Sequence, residues 1–126
     1  MIMAYIFYNP NPSGKFVGDC VIRAVSRLTH QDWDTTHHEL CELSGVMDDM
    51  PSSDAVWGEY LYQKGFRKHM IPDTCPFCYT IKDFCSEHPL GSFLLKTSGH
   101  VVAVVNGNYY DTSDSGNETP IYFWGK

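Results

Sequence analysis

A cysteine, a histidine and an aspartate in this chain have the types and spacing for acyl transfer through a thioester. Cys20 stands in GDCVIRA, residues 18–24, directly after Asp19, where the pattern predicts the first turn of a helix. A helix N-terminus presents unpaired N–H groups and the positive end of the macrodipole, and both favour a thiolate over a thiol. His100 and Asp111 lie on opposite sides of the Asn106-Gly107 pair in HVVAVVNGNYYDTSD. An imidazole oriented by a carboxylate can take a proton from a thiol and later return it to a leaving amine, because the acid fixes the tautomer and favours the imidazolium.

The elements that must position these groups follow from periodicity and turn chemistry. Asp19 is the expected N-cap of a helix running to about Leu28, with Val21, Ile22, Ala24, Val25 and Leu28 on its apolar face and Arg23 and Arg27 off it. The Asn-Gly pair is the strongest short hairpin signal in the chain. A two-residue loop pairs Val105 with Asn108 and, counting outward, sets Val102 opposite Asp111 and His100 opposite Ser113. His100 and Asp111 then share a face as diagonal neighbours, roughly 5.5–8 Å apart at the backbone. A three-residue loop would flip the parity and bring Asp114 to His100 instead, which makes Asp114 the reserve acid.

The rest of the chain supplies helices first and strands last. MAYIFYN is a short strand or extended lead-in, NPNPSGK a turn, and THQDWDTTHHELCELSG a second helix stopping at Gly45; Cys41 falls on its buried side. SSDAVWGEYLYQKGF is a third helix ended by Gly65, FRKHMI a strand, and TIKDFCSEH a short helix opened by Thr80 and Asp83 at capping-box spacing. GSFLLKT and the His100 hairpin are strands. The order predicts an α+β fold with N-terminal helices packed on a C-terminal antiparallel sheet, in one domain over residues 1–126.

Composition excludes several classes. A net charge of -6 with no lysine- or arginine-rich cluster argues against nucleic acid or an anionic membrane as partner. The first residues lack a positive n-region, and no apolar run approaches the ~18 residues of a membrane span, so the expected location is cytoplasmic. Five cysteines, an odd number without a secretion signal, fit reduced thiols better than a disulfide framework. No glycine-rich phosphate loop, HExxH motif or serine elbow is present. His30, His37, His38 and His69 have no equally placed acid or cysteine in the sequence, and Trp33, Trp57 and Trp124 read as core or groove-wall aromatics.

GDCVIRA together with GHVVAVVNGNYYDTSD resembles small papain-like cysteine-peptidase proteins of bacteria and their phages, and the likeness runs over nearly the whole chain, HPLGSFLLK included. The GDCxxRA portion is also similar to the nucleophile segment of ovarian-tumour-domain deubiquitinases, and the histidine hairpin to that of the double-glycine-leader peptidases. The resemblance implies a minimal papain-like domain with Cys20 as nucleophile, His100 as general base and acid, and Asp111 as orienting residue. It also implies a peptide or protein substrate cleaved at an amide or isopeptide bond. One departure stands out. Papain relatives carry a glutamine shortly before the cysteine to help bind the oxyanion, whereas the nearest upstream amides here are Asn9 and Asn11, either of which could project over the helix start or merely shape the NPNP turn.

CPFCYTIKDFCSEH, residues 75–88, offers a competing chemistry. Cys75, Cys78, Cys85 and His88 are ligands of the kind zinc accepts, although the six-residue spacer between Cys78 and Cys85 is short for a knuckle. Four protein ligands would close the site and make it structural, and the alternative is separate core thiols. A catalytically silent binding module that keeps the papain fold, with or without this zinc, is the alternative to the hydrolase.

Overall fold

The computed structural model describes residues 4–74 and 76–126. In chain order the elements are β1 (Tyr5–Phe7), α1 (Cys20–Thr29), α2 (Trp33–Val46), α3 (Asp54–Gln63), β2 (Arg67–Met70), α4 (Ile81–Glu87), β3 (Ser92–Lys96), β4 (Val101–Val105), β5 (Asn108–Asp111) and β6 (Tyr122–Gly125). Leu94 and Leu95 of β3 and Val101 through Val104 of β4 are buried as unbroken runs. A strand can bury successive residues only where both faces of its sheet are covered. Leu94, Val101 and Ala103 pack with Ala24, Val25 and Leu28 of α1, Leu40 of α2 and Trp57 and Leu61 of α3. Leu95, Val102 and Val104 pack on the other face with Ile81, Phe84 and Cys85 of α4 and Tyr109 of β5. The fold is therefore α+β in three layers.

The six-stranded sheet has the order β1-β5-β4-β3-β6-β2. β1 lies parallel to β5, and the other neighbours are antiparallel, so the sheet is mixed and not the wholly antiparallel one expected. The N-terminal extended segment joins the sheet edge because its backbone pairs there, with Phe7 in register with Asp111. PIYFWG, a short β-branched and aromatic run between Pro120 and Gly125, becomes the internal strand β6, paired with β3 on one side and β2 on the other. Helix α2 does not stop at Gly45. It continues to Val46, and the left-handed residue that turns the chain out is Asp48, with φ 53°. Asp tolerates that region because its short polar side chain bonds locally. The expected capping box at α4 forms, Thr80 accepting from the Asp83 N–H and Asp83 from the Thr80 N–H.

Two features fix the site. Helix α1 packs along β4, which carries the start of the helix to the start of that strand. The β4–β5 hairpin has Val105 opposite Asn108, with both loop residues at positive φ, 51° for Asn106 and 79° for Gly107. That is the two-residue type I′ geometry, whose twist matches the strands it joins. No helix among the described residues is long and apolar enough to cross a membrane.

Gly107 is the residue on which this hairpin register depends most. A Cβ there would meet the Cys85 carbonyl at 3.3 Å as well as straining the backbone. Gly107→Ala should destabilise the protein by about 1–2 kcal/mol, read by denaturant unfolding.

Candidate active site

Cys20 is the first residue of α1, as the spacing requires. Asp19 occupies the N-cap position, but its side chain makes no cap hydrogen bond. It is turned inward, where it forms an ion pair with Arg23 and accepts from the indole Nε1 of Trp33 at 2.8 Å. The N–H groups of the first helical turn are thus left uncovered by a capping side chain, next to the thiol.

His100 precedes β4 in the Thr97–His100 turn, and its Nε2 is 2.6 Å from Oδ2 of Asp111, the last residue of β5. With Nε2 committed to the acid, Nδ1 is left for the sulfur. The imidazole and the Val101 N–H both lie near enough to the Cys20 thiol to favour its thiolate. The spatial grouping of Cys20, His100 and Asp111 is therefore present. Asp114 is not part of it: its Oδ1 accepts from the Tyr109 hydroxyl and from the Gly116 N–H at 3.0 Å. The reserve position follows from a three-residue loop that the chain does not form.

Asp111 is only 2% exposed and accepts four hydrogen bonds. Besides His100 the donors are the Ser115 hydroxyl at 2.8 Å, the Thr112 N–H at 2.7 Å and Nη2 of Arg23 at 3.3 Å. Arg23 is itself buried at 7% exposure and bridges Asp19 and Asp111. Its place off the apolar face of α1 does not leave it in water: two buried carboxylates draw the guanidinium in, since a buried charge is tolerated only when paired. The Asp19–Arg23 half of this bridge has a visible sequence signal in its i,i+4 spacing. The Asp111 half and Ser115 have none, because they depend on how α1 lies on the hairpin.

The electrostatics of the three groups are coupled. Burial pushes the Cys20 thiol up, but the His100 hydrogen bond, the Val101 N–H and the nearby charges of His100 and Arg23 outweigh it and leave the pKa below the ordinary 9.0. The hydrogen bonds to Asp111 and Cys20 raise His100 well above the usual imidazole range, against the opposing effect of burial. Burial likewise raises Asp111, and the bonds from His100 and Ser115 reverse the sign and hold it below the usual carboxylate range. The arrangement therefore favours thiolate, imidazolium and carboxylate together.

Asn9 and Asn11 fold their own turn. Asn9 Nδ2 donates to the Lys15 carbonyl at 3.1 Å, and Asn11 Oδ1 accepts from the N–H groups of Ser13 and Lys15. The Asn9 amide nitrogen is thus spent away from the thiol, and the uncovered N–H groups of α1 are the donors beside Cys20. Two cavities open in this part of the molecule, one bordered by His100, and Cys20 is among the walls of neither. One of about 100 Å³ is lined by Gly18, Asp19, Val21, Ile22, His37, Pro51 and Ser52. The other, of about 420 Å³, is lined by Thr97, Ser98, Gly99, His100, Ser113 and Glu118.

The 75–88 segment is not a metal centre among the described residues. Cys78 is disulfide-bonded and has no thiolate to give, which also corrects the expectation of reduced thiols throughout, because an odd count prevents pairing of all cysteines but not of some. Cys75 lies outside the described residues. Cys85 is buried in the core under α4, which pushes its thiol up to about 11, and His88 stacks on Phe84 with Nδ1 2.9 Å from the Phe84 carbonyl. No group of three or more metal-ligating side chains comes together among the described residues. His37 does have a cysteine beside it, Cys41 Sγ at 3.6 Å, and stacks on Trp33; the i,i+4 spacing was the available signal. Cys41 is accordingly half-buried and not core.

No family model matches the chain, and no curated protein or solved structure was found to match it.

The coupling has two measurable consequences. Alkylation of Cys20 should begin well below the ordinary thiol range, and Asp111→Asn should move the onset to higher pH, because a less stabilised imidazolium favours the thiolate less; the pH dependence of labelling, followed by mass spectrometry, checks both. Arg23→Met should cost about 3–5 kcal/mol of stability at neutral pH, since it leaves buried carboxylates without their cation. The loss should shrink in acid as Asp111 takes up a proton, as denaturant unfolding at several pH values would show.

Proposed function

We propose that the chain is a papain-like cysteine hydrolase that cleaves an amide or isopeptide bond through a thioester on Cys20. The observation that carries this reading is the grouping of a thiol at a helix N-terminus with an imidazole close enough to favour its thiolate, the imidazole's Nε2 lying 2.6 Å from a buried carboxylate. In this mechanism the Cys20 thiolate attacks the substrate carbonyl carbon, and a C–S bond forms as the oxygen gains negative charge. The N–H groups at the start of α1 face that oxygen, and of the two asparagines Asn11 keeps its Nδ2 as a side-chain donor, the Asn9 Nδ2 being bound to Lys15. As the C–N bond breaks, Nδ1 of His100 gives its proton to the departing amine. Water then attacks the thioester, His100 takes its proton, the C–S bond breaks, and the acid product leaves with Cys20 restored as thiolate.

Asp111 orients the ring throughout, and its remaining bonds keep it from rotating away. The depressed thiol and raised imidazole place the reactive ion pair between the two pKa values, so turnover should rise at a pH below the ordinary thiol range and fall above the ordinary imidazole range.

A panel of peptides and ubiquitin-like conjugates tests the assignment. Wild type should cleave a member of it and Cys20→Ala none; Asp111→Ala should lose about 10²–10⁴-fold in turnover, as misorientation of a triad histidine does elsewhere. Asp114→Ala should lose little. A chain that binds panel members without cleaving them, and whose Cys20 labels no faster than Cys41, would be the silent binding module instead.

A further inference from the structure

Strand β2 is an outer edge of the sheet. It pairs with β6 alone, and all four of its residues are exposed. Just past the strand, the Ile71 N–H donates to the Ile121 carbonyl at 3.0 Å, which continues the β2–β6 register and fixes its phase. In an antiparallel ladder every second residue turns its N–H and C=O to the partner strand. Arg67, His69 and Ile71 therefore bond towards β6, and the backbone groups of Lys68 and Met70 point out from the sheet. Such a row is a template for one more strand.

A cavity lies beside this edge on each face of the sheet. Tyr122 and Trp124 of β6 line one of about 450 Å³, together with Tyr62 and Lys68. Phe123, between them in sequence, lines another of about 270 Å³ with Met70, Ile71 and Phe84. Successive residues of a strand point to opposite faces, so the two cavities lie on opposite sides of the sheet, and each reaches β2. A strand laid along β2 would send its side chains alternately to one and to the other.

Charge selects the strand. Lys64, Arg67 and Lys68 are close in sequence, and Lys126 follows Gly125, the residue opposite Arg67. These cations lie over the rings of Tyr60, Tyr62, Tyr122 and Phe66 in turn, and none is in an ion pair among the described residues. Four of the nine lysines and arginines of a chain with net charge -6 thus gather at one edge. The acids on the wall of the larger cavity are already engaged, Asp54 by Lys96 and Trp57, and Glu59 by Gln63. A second copy docked on β2 would set cation against cation, which keeps like edges apart. An acidic strand meets the opposite sign.

We propose that β2 takes an extended acidic segment of a partner protein as a seventh strand of the sheet, its acidic side chains on the Lys68 face alternating with apolar ones at the Phe123 cavity. Backbone hydrogen bonds to Lys68 and Met70 supply affinity, and the alternating side chains supply specificity. β6 and β3 separate this edge from β4, so the interaction does not depend on the hydrolase assignment.

The test titrates the full chain with three labelled peptides, followed by fluorescence anisotropy and by amide exchange in NMR spectra. One peptide alternates glutamate with valine, the second has lysine for glutamate, and the third is the glutamate peptide with every backbone nitrogen methylated. The first should bind about tenfold or more tighter than either control and should slow exchange of the Lys68 and Met70 amides about tenfold or more. Lys68→Glu and Lys126→Glu, both at exposed positions, should each weaken it about three- to tenfold while the unfolding midpoint holds near wild type. Equal binding of the three peptides, or binding that leaves both amides exchanging freely, would overturn the proposal. So would tighter binding of a single-stranded oligonucleotide with the same dependence on Lys68, or protection of both amides in the free chain that grows with concentration, which would make a second copy the occupant.

Discussion

The Asp111 carboxylate is the joint that holds the candidate site together. Burying an ionised carboxylate costs several kcal/mol unless its oxygens are paired, and here the partners come from separate parts of the chain. His100 reaches it from the turn before β4, Arg23 from α1, and Thr112 and Ser115 from the segment after β5. None of these elements can shift without leaving a buried charge exposed to an apolar surround. The helix that carries Cys20 and the hairpin that carries His100 are therefore tied to one another through a carboxylate that touches neither the sulfur nor the first-turn amides.

From that joint the charges alternate outward. Asp19, Arg23, Asp111, His100 and Cys20 form a line in which each ionised group has an opposite neighbour, and Trp33 closes the far end with a hydrogen bond to Asp19. The arrangement explains why Asp19 gives up the capping bond its position offers. Its carboxylate serves the buried guanidinium, and the amides of α1 stay open.

The same residue type behaves differently according to what surrounds it. Cys85 is enclosed by the aromatic and aliphatic side chains beneath α4, and burial alone raises its thiol. Cys20 is also partly desolvated, yet the imidazole, a backbone N–H and a neighbouring arginine reverse the direction. A thiolate is formed by what donates to the sulfur and by the charge close to it, and only one of the free thiols at Cys20, Cys41 and Cys85 has both. The function we assign follows from that contrast more than from the presence of a cysteine as such.

Local patterns in the sequence determined the parts whose physics is local. The start of α1 at Cys20, the capping box of α4 and the type I′ loop at Asn106-Gly107 each depend on residues a few positions apart, and the loop's register carried Asp111 to His100 by counting alone. Tertiary packing decided the rest. β6 is β-prone by composition, but its place between β3 and β2 is set by which strands meet, and β1 makes the sheet mixed by docking on β5. Arg23 lies off the apolar face by helical spacing, but two carboxylates, one from a strand 88 residues away, draw it inside. Of the two asparagines whose amides could meet an oxyanion, Asn9 spends its nitrogen on the Lys15 carbonyl of its own turn, while Asn11 is engaged only through its oxygen. Periodicity reports which face of an element is apolar, but the partner of a buried charge is set by which elements meet, and that is known only once the chain has folded.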